Sequence, residues 1–334
     1  MRMMRHEDSD TESERSYKSA SSLLSRRSAN RSSLSICSDK GEGKGEAKSY
    51  RDLLYNKGYH ITGILGRGQN SGFVVHSAMK DGQKFAVKVS TENAQEGTNG
   101  EVLRREFAVL SKLKHENIVQ AFSMWQGDAD DGTRGAAMVL ELCKGSTLNR
   151  VLPWSQVSFF DMECRRKTLL QIANAVSYLH ELGLSHCDLH SKNVVVDAAC
   201  EDGLYRSDSV LTKVIDFGCA RTLKEEMSVE ADINVNILPV GSTQPCDIFA
   251  LGLIGCSLIA GKEISSWSVV PNSGNGSSIC LPKCALADWE LSKEGKEYLH
   301  ALLAESSTRF SASEAFRWLP EGGLWLVRTS KLSL

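Results

Sequence analysis

The sequence predicts an α+β protein in which a β-rich first half precedes a helical second half. Three segments rich in β-branched and apolar residues, at 59–66, 72–79 and 84–90, are separated by glycine-rich or Asp-Gly turns and predict an antiparallel meander. One helical pattern follows these strands, and a longer one comes after two further strands. The chain of 334 residues, 41% of them hydrophobic, is long enough to bury a sizeable core.

Each later element follows from its own pattern of apolar residues. Residues 102–114 place five apolar side chains near one stripe of a helix, and residues 117–125 and 136–143 supply two more strands. A long helix is predicted at 165–183, because positions 169, 172, 176 and 179 are apolar. The longest predicted loops are 198–210 and about 265–285.

Composition excludes several classes of protein. The 39 Lys and Arg residues nearly balance 41 Asp and Glu residues, so no net field favours nucleic acid or an anionic membrane. The longest uncharged apolar run, Ile248–Gly261, is too short to span a bilayer, and the N-terminus lacks the apolar region of a signal peptide. Ten cysteines without a framework spacing predict reduced thiols. We therefore expect a soluble cytoplasmic protein, with the nucleus as the alternative location.

Residues 1–49 form a different compositional block, with thirteen serines and few large apolar residues. We expect this block to be a disordered tail. Arg26–Ser28 and Ser9–Glu14 are candidate phosphorylation sites, because their basic and acidic flanks suit different modifying enzymes. A plain solvated tail is the alternative interpretation.

The stretch HCDLHSKN, residues 186–193, concentrates two histidines, a cysteine, an aspartate and an asparagine. Zinc binding and a thiolate activated by histidine are both compatible with such a stretch. Its single Cys and His pair has poor metal spacing without a second close pair, and Cys280 and Cys284 have no nearby histidine. Whether this stretch binds a metal, activates a thiolate or does something else therefore depends on residues elsewhere in the chain.

Two earlier segments suggest phosphate binding. Gly66, Gly68 and Gly72 lie in a turn between two predicted strands, where glycine lets backbone N–H groups approach phosphate oxygens. A strand follows this turn instead of a helix, which excludes a Rossmann dinucleotide site. Lys88 ends the apolar segment FAVK, and a lysine there needs an anion unless it is an edge-strand charge facing water.

The order of these elements and motifs resembles the protein kinase family over roughly residues 59–320. The resemblance implies a two-lobed fold with a small β-rich N-lobe that contains one main helix, at 50–142. A larger helical C-lobe at 143–322 and an extension at 323–334 would follow. The glycine turn departs from the family pattern, since three residues instead of two separate Gly68 from Gly72.

The resemblance implies ATP and Mg²⁺ as cofactors. Lys88 would hold the α- and β-phosphates and pair with Glu106, which has the family's spacing to later residues where the competing Glu101 does not. The Glu141 carbonyl and the Cys143 N–H would meet the adenine edge. The other nucleotide contacts would be the three glycines and three apolar residues that suit a plain core equally well: Val74, Ala86 and Val195.

The same resemblance assigns the chemistry of HCDLHSKN. Asp188 would be the catalytic base that accepts the proton of the substrate hydroxyl. Asn193 and Asp216 would offer oxygen ligands to Mg²⁺, which binds oxygen in preference to nitrogen or sulfur. His186 would be structural and stack beneath the ring of Phe217.

Three departures from the family qualify the activity. Cys187 replaces the arginine that pairs with a phosphorylated activation loop in many kinases. His190, a catalytic candidate, stands where serine/threonine kinases usually have a lysine near the γ-phosphate, and a mostly neutral imidazole stabilises developing charge less well. Between Asp216 and Asp247 there is no A-P-E triplet.

Two function classes remain at this point. The first is a protein kinase that acts on Ser/Thr of protein substrates, with Ser242 or Thr243 near Asp188. The second is a nucleotide-binding pseudokinase that acts as a scaffold or allosteric partner, because the segment that docks peptide is short. Tyrosine specificity is a minor third option. The expected partners are a protein substrate and a regulatory protein, with no nucleic acid and no membrane span; the oligomeric state is open.

Arg309 resembles the family's arginine before the final helix, whose usual partner is the glutamate of A-P-E. An unpaired buried charge would cost about 3–5 kcal/mol. We therefore expect Arg309 to face solvent or to pair with a substitute such as Glu305, four residues earlier.

Overall fold

A computed structural model of the chain describes residues 51, 54–67, 72–91, 99–128, 134–152, 162–198, 210–222, 243–264, 270–271, 279–280, 289–319 and 326–328. The predicted tail at 1–49, Gly68, Ser242 and most of the two predicted long loops lie outside the described residues. No helix in the described part combines the length and apolar character needed to cross a membrane.

Five antiparallel strands build the first sheet, in the order β1-β2-β3-β5-β4. They are β1 (His60–Arg67), β2 (Phe73–Lys80), β3 (Gln83–Thr91), β4 (Ala121–Asp128) and β5 (Arg134–Glu141). The predicted three-stranded meander is confirmed. Helix α1 (Asn99–Leu110) joins β3 to β4 and ends before the predicted Lys114. It ends there because the N–H groups of Lys112 and Leu113 bond to carbonyls three residues back, which tightens the last turn.

The two faces of this sheet have different surroundings. Side chains alternate along a strand, so cross-strand partners share a face. Lys88 lies opposite Val75 on the face that adjoins the main core, whereas Val89 lies opposite Val74 on the outer face. Leu54, which is fully buried, packs on the outer face. The inner face is therefore the one that meets the rest of the fold.

The second half of the chain is mainly helical. Its helices are α2 (Leu148–Val151), α3 (Met162–Glu181), α4 (Gln244–Ala260), α5 (Lys293–Leu303) and α6 (Ala312–Arg317). Its strands are short: β6 (Ser146–Thr147), β7 (Leu184–Ser185), β8 (Val194–Ala198), β9 (Val210–Val214), β10 (Arg221–Thr222), β11 (Val270–Pro271), β12 (Ile279–Cys280), β13 (Trp289–Leu291) and β14 (Leu326–Arg328). They form the sheet β6-β8-β9 and the pairs β7–β10, β11–β12 and β13–β14.

The helices of this half pack through apolar faces that the sequence pattern anticipates in part. The predicted long helix is confirmed as α3, and its four apolar positions are at most 1% exposed: Leu169, Ile172, Val176 and Leu179. Two glycines bring α4 close to α5. A Cβ on Gly252 would lie 2.7 Å from the Leu303 side chain, and one on Gly255 would lie 3.0 Å from Leu299. Larger residues at these positions would push the two helices apart.

The segment after α1 connects the five-stranded sheet to the second half. Ile118 forms a parallel bridge with Val214 of β9, and the Val214 N–H donates to the Asn117 carbonyl over 2.8 Å. Lys213 Nζ lies 2.9 Å from Glu141 Oε2 at the end of β5. The two halves are therefore joined on the side of β9 as well as through the chain after β5.

Arg309 finds partners that the sequence did not suggest. Its guanidinium is half-buried and donates from Nε and Nη2 to the Ala304 carbonyl, over 2.8 and 2.6 Å, and from Nη1 to the Pro245 carbonyl. It also lies 5.1 Å from the Phe249 ring centroid. Carbonyls at the end of α5 carry partial negative charge, so they satisfy the cation without a carboxylate. Arg309 thus has substitute partners, as one of the two alternatives expected, but they are backbone carbonyls and not Glu305.

Candidate active site

Three charged side chains from distant parts of the chain meet between the sheet and the second half. Lys88 Nζ on β3 lies 2.7 Å from Glu106 Oε2 on α1 and 2.8 Å from Asp216 Oδ1 after β9. Lys88 and Glu106 are buried, whereas the Asp216 side chain is 45% exposed. An ammonium has three donors, so two are used here and one remains for a ligand. Glu106, not the competing Glu101, is the partner of Lys88.

The pKa values of this cluster reflect burial and mutual attraction. Burial alone lowers the pKa of Lys88, but the carboxylates of Glu106 and Asp216 outweigh it and raise that pKa above its usual range. Burial raises the pKa of Asp216, but the Lys88 ammonium reverses this and lowers it overall. Lys88 is therefore a cation and Asp216 an anion at neutral pH.

The residues 188–193 alternate between open and buried positions. Asp188 and His190 are half-exposed and Lys192 is exposed. The two residues between them, Leu189 and Ser191, are buried, and so is Asn193, which follows. Asn193 Nδ2 donates to the Asp188 carbonyl over 2.9 Å and to Asp188 Oδ2 over 3.1 Å. The loop thereby holds the Asp188 carboxylate toward its open face.

His190 orients its ring by a local contact. The Lys192 N–H donates to His190 Nδ1 over 3.2 Å. In the neutral ring the proton is then on Nε2, which lies 3.5 Å from Asp188 Oδ1. The structure thus brings the predicted base and the predicted third catalytic residue, His190, together.

Asp247 at the start of α4 fixes the backbone before the base, a role that sequence reasoning missed. Its side chain is 1% exposed and accepts N–H groups of His186 at 2.8 Å and Cys187 at 2.9 Å. His180 Nε2 lies 3.0 Å from the same carboxylate. These bonds hold Cys187 at a φ of 64°, a left-handed conformation that costs a non-glycine residue energy. A buried aspartate at a helix start was the sequence signal that could have revealed it.

His186 and Phe217 pack together as predicted, edge to face instead of stacked. Their ring centroids are 4.9 Å apart at an interplanar angle of 66°. His186 Nε2 lies 3.1 Å from the Ile215 carbonyl, and full burial lowers the pKa of His186. The Phe217 N–H donates to Glu106 Oε1 over 3.2 Å. Glu106 therefore links Lys88 to the segment that contains Asp216.

The residues predicted to bind Mg²⁺ have free oxygen atoms. The Asn193 amide nitrogen donates to the Asp188 carbonyl and to Asp188 Oδ2, which leaves Asn193 Oδ1 as an acceptor. Asp216 Oδ1 receives Lys88 and the Gly218 N–H, which leaves Oδ2. In the described residues no group of three or more His, Cys, Asp or Glu side chains is placed to hold a metal. A nucleotide-bound Mg²⁺ needs only one or two protein oxygens, so this pair fits it.

The glycine turn is described in part. Gly66 lies in β1 and a Cβ there would meet no protein atom within 4 Å, and Gly72 has a φ of 65° that favours glycine. Ala86 and Val195 are nearly buried, at 8% and 9% exposure, at positions compatible with either the adenine pocket or the core. Gly68 cannot be placed beside them, as it lies outside the described residues.

Val74 is not on the cleft face, and this corrects the prediction. Val74 packs in the outer cluster with Val89, whereas Val75 lies opposite Lys88. The glycine turn has one residue more than the family pattern, and a shift of one residue along a strand exchanges its faces. Phe73 shares the face of Val75, and its ring centroid is 5.1 Å from Lys88 Nζ. Side chains alternate between the two faces of a strand, so Val75, which lies opposite Lys88, and Phe73, two residues before it, share the face of Lys88.

The two residues expected at the adenine edge lie at the end of β5 and just after it. The Glu141 N–H donates to the Gln120 carbonyl over 2.8 Å, and the Glu141 carboxylate pairs with Lys213. Cys143 follows β5, and burial raises the pKa of its thiol to about 12. The Cys143 thiol is therefore neutral and unreactive at pH 7.

Thr243 is the described member of the predicted Ser242 and Thr243 pair. It precedes α4, and its carbonyl accepts the Cys246 N–H over 3.0 Å and the Asp247 N–H over 3.3 Å. Thr243 is therefore linked, through Asp247, to the backbone at His186 and Cys187, just before Asp188. The segment 223–242 that precedes it, with the absent A-P-E triplet, lies outside the described residues.

Comparison with known proteins matches the chain to one family. The family model described as "Protein kinase domain" matches residues 59–318. The chain is 31% identical over 229 residues to "Probable serine/threonine-protein kinase fhkD" of Dictyostelium discoideum, which covers 62% of this chain and 29% of that protein. It is 30% identical over 206 residues to "Calcium/calmodulin-dependent protein kinase type 1" of Caenorhabditis elegans, covering 61% of this chain and 56% of the relative.

A third relative is "Cysteine-rich receptor-like protein kinase 26" of Arabidopsis thaliana, with 26% identity over 232 residues, 65% of this chain and 32% of the relative. The chain thus spans less than two thirds of the length of each of these relatives. The matched family model covers the five-stranded sheet, the charged cluster and α3 to α6. On that match, the chain belongs to the protein kinase family.

Proposed function

We propose that this chain is an active serine/threonine protein kinase that uses ATP and Mg²⁺. The observation that carries the proposal is the cluster of Lys88, Glu106 and Asp216, closed at 2.7 and 2.8 Å. Beside it, Asn193 bonds to Asp188 at 3.1 Å. Phosphoryl transfer depends mainly on positioning and electrostatics, so this arrangement of charges supplies what the reaction needs.

The chain's own residues divide the work as follows. Lys88, held by Glu106, directs its remaining N–H donor toward the phosphates. Asp188 accepts the proton of the attacking hydroxyl, and His190, whose Nε2 lies 3.5 Å from Asp188 Oδ1, stabilises charge on the transferring group. Bound Mg²⁺ supplies charge neutralisation between the phosphates.

The protein surroundings support nucleotide and metal binding in the same cleft. Asn193 Oδ1 and Asp216 Oδ2 are the oxygens assigned to Mg²⁺. Gly66 and Gly72 approach the phosphates, while Val75 replaces Val74 as the side chain assigned to the adenine ring beside Ala86 and Val195. The Glu141 carbonyl and the Cys143 N–H are assigned to the adenine edge.

The substrate class and the location follow from the relatives and from the cysteines. Two of the relatives are named serine/threonine or calmodulin-dependent kinases, which supports Ser/Thr of protein substrates as acceptors. We propose a cytoplasmic location, with the nucleus as the alternative, because six described cysteines are free thiols. Imaging of a fluorescent fusion tests the location.

A pseudokinase is the second candidate function. The sequence has no A-P-E triplet between Asp216 and Asp247, and this favours a damaged peptide-docking surface. Such a protein binds MgATP through the same cluster and acts through a scaffold or a regulatory partner. ATP binding without phosphate transfer separates this candidate from the first.

The test combines binding and transfer on the purified chain. Saturating MgATP is expected to raise the unfolding temperature, since a ligand at 100 times its Kd adds about 2.7 kcal/mol of stability. Labelled phosphate is expected to reach a panel of Ser/Thr protein substrates. Lys88→Met and Asp188→Asn are expected to abolish transfer.

The matched controls are Lys84→Met, an exposed lysine on the same strand, and Asp81→Asn, an exposed aspartate in the β2–β3 turn. Both should retain full transfer. An unchanged unfolding temperature with MgATP would end the nucleotide proposal. Binding with no transfer to any substrate would leave the pseudokinase.

A further inference from the structure

A second concave site lies where the segment after α1 meets β4, the end of β5 and β9. Its volume is about 540 Å³, within the range of about 300–1,000 Å³ that small-molecule sites have. The three residues of the charged cluster, Lys88, Glu106 and Asp216, do not line it. The pocket is therefore separate from the proposed nucleotide site.

Three residues of this pocket are apolar. Leu113 and Ile118 are buried in the main core, whereas Phe122 on β4 is 47% exposed. The Phe122 ring packs edge to face on Phe85, with the two centroids 5.7 Å apart. Because that contact holds the ring in place, its exposed surface can be covered by a ligand with little loss of side-chain entropy. An aromatic or branched apolar group suits this part of the pocket.

Lys213 is the polar residue whose bonding is incomplete. It is 9% exposed, and its Nζ lies 2.9 Å from Glu141 Oε2. Among the residues that the structure describes, Glu141 is its one ion-pair or hydrogen-bond partner. An ammonium has three N–H donors, and a buried donor without an acceptor costs free energy. Two donors of a residue that lines the pocket are therefore left for an acceptor.

The other charged residues of the pocket do not select a ligand by their net field. Lys114 and Glu116 are exposed and opposite in charge, so solvent screens both and their fields largely cancel. Burial lowers the pKa of His115, so its ring is neutral at pH 7. The Glu141 carboxylate is already paired with Lys213. The lining residues thus carry no net charge, and the choice between ligands depends on the two remaining donors of Lys213.

We propose that this pocket binds a small carboxylic acid with an aromatic or branched apolar body. The carboxylate accepts the remaining donors of Lys213, and the body covers Phe122. The contacts of Lys88, at 2.7 and 2.8 Å, show within the same chain that one buried ammonium accommodates two carboxylates. A hydrogen bond to an ionised acceptor is about twice as strong as one to a neutral acceptor, so the acid is favoured over its amide.

The experiment titrates the full chain at pH 7 with 3-phenylpropionate and with 3-phenylpropionamide, which has the same body without the charge. Dissociation constants come from the NMR shifts of backbone amides. The signals of Lys114 and Gln120, which line the pocket, should move, and that of Gly82 in the β2–β3 turn should not. The acid is expected to bind in about the millimolar range and about tenfold more tightly than the amide.

Two substitutions separate the charged from the apolar part of the site. Lys213→Gln should weaken binding of the acid about tenfold and leave that of the amide unchanged. The Glu141 side chain is 31% exposed, so it stays hydrated when its partner is replaced. Phe122→Ala, at a half-exposed position, should weaken binding of acid and amide by the same factor.

Two controls remove a different lysine. Lys84→Gln, at an exposed position of β3, should change neither dissociation constant. Lys88→Met removes the other buried ammonium and should also change neither, because the acid does not bind at the charged cluster.

Four results would each overturn this inference. They are no shift with 3-phenylpropionate at about 10 mM, equal dissociation constants for acid and amide, equal effects of Lys213→Gln and Lys84→Gln, and loss of acid binding in Lys88→Met with binding retained in Lys213→Gln. The last result would place the acid at the charged cluster. None of these measurements depends on phosphate transfer, so a failure of the proposed function is detected separately.

Discussion

Replacement of Asp247 by asparagine tests how the loop before the catalytic base is held. The Asp247 carboxylate accepts three N–H groups at 2.8–3.0 Å, from the His186 and Cys187 backbones and from His180. An asparagine side chain has one acceptor oxygen, so its NH₂ group must face at least one of these donors. The best orientation keeps the two bonds to Oδ2 and loses the bond from Cys187.

The expected loss of stability follows from this one lost hydrogen bond. A buried hydrogen bond to a charged group contributes about 1.5–3 kcal/mol, and the orphaned N–H adds a desolvation penalty, so Asp247→Asn should destabilise the fold by about 3 kcal/mol. For a domain of this size that corresponds to a fall in unfolding temperature of about 6–12 °C. Catalysis should fall as well, because Cys187 loses the bond that holds its left-handed backbone.

The assay compares thermal unfolding and amide hydrogen exchange of Asp247→Asn with those of Asp81→Asn. Asp81 is exposed and has a φ of 49°, which asparagine adopts readily, so this control should change stability by less than about 0.5 kcal/mol. The Cys187 amide should lose protection only in the Asp247 variant. Equal unfolding temperatures for the two variants, with Cys187 still protected, would show that the carboxylate does not hold the loop.

Two further substitutions test the backbone and the buried histidine. Gly145→Ala should lower the free energy of unfolding, measured by chemical denaturation, by about 3 kcal/mol, because φ is 96° and the new Cβ would clash with the Val196 carbonyl. The control is Gly82→Ala, where φ is 77° and the space is open, and it should lower that free energy by about 1 kcal/mol. Similar costs would argue against the clash. Burial lowers the pKa of His186, so the unfolded state binds its proton first and stability should fall by about 1.4 kcal/mol per pH unit below about pH 6.5. His186→Tyr should lessen this fall between about pH 7.5 and 5.5, and His300→Gln, at an exposed position, should not; identical pH profiles for the two variants would exclude His186 as the titrating group.

Local patterns predicted most of the fold because they report on burial directly. The β1–β2–β3 meander and α3 were anticipated from alternation and from apolar spacing, and both are confirmed. The end of α1 was placed too late, since Leu113 continues the apolar stripe although its turn is tighter than an α-helix. A stripe of apolar residues shows which side is buried and does not show where the hydrogen-bond pattern changes.

The site was predictable where one residue alone determined the chemistry. Lys88 in an apolar strand required an anion, and the structure supplies Glu106 and Asp216. Val74 was misplaced because the longer glycine turn shifted the register by one residue. The partners of Arg309 were missed because backbone carbonyls, which every residue has, leave no mark in the sequence.

The bond between Asp247 and the loop spans 60 residues of sequence and therefore constrains the order in which the chain becomes functional. During synthesis at about 5–20 residues per second, Asp247 is added about 3–12 s after Cys187. Strands β1 to β5 precede both residues in the sequence, and they pair only with each other in the five-stranded sheet. A growing chain thus has its nucleotide-side lysine and glutamate in place before the loop around Asp188 has its support. On the proposed function, phosphate transfer would wait for a helix that contains neither the proposed base nor a proposed metal ligand.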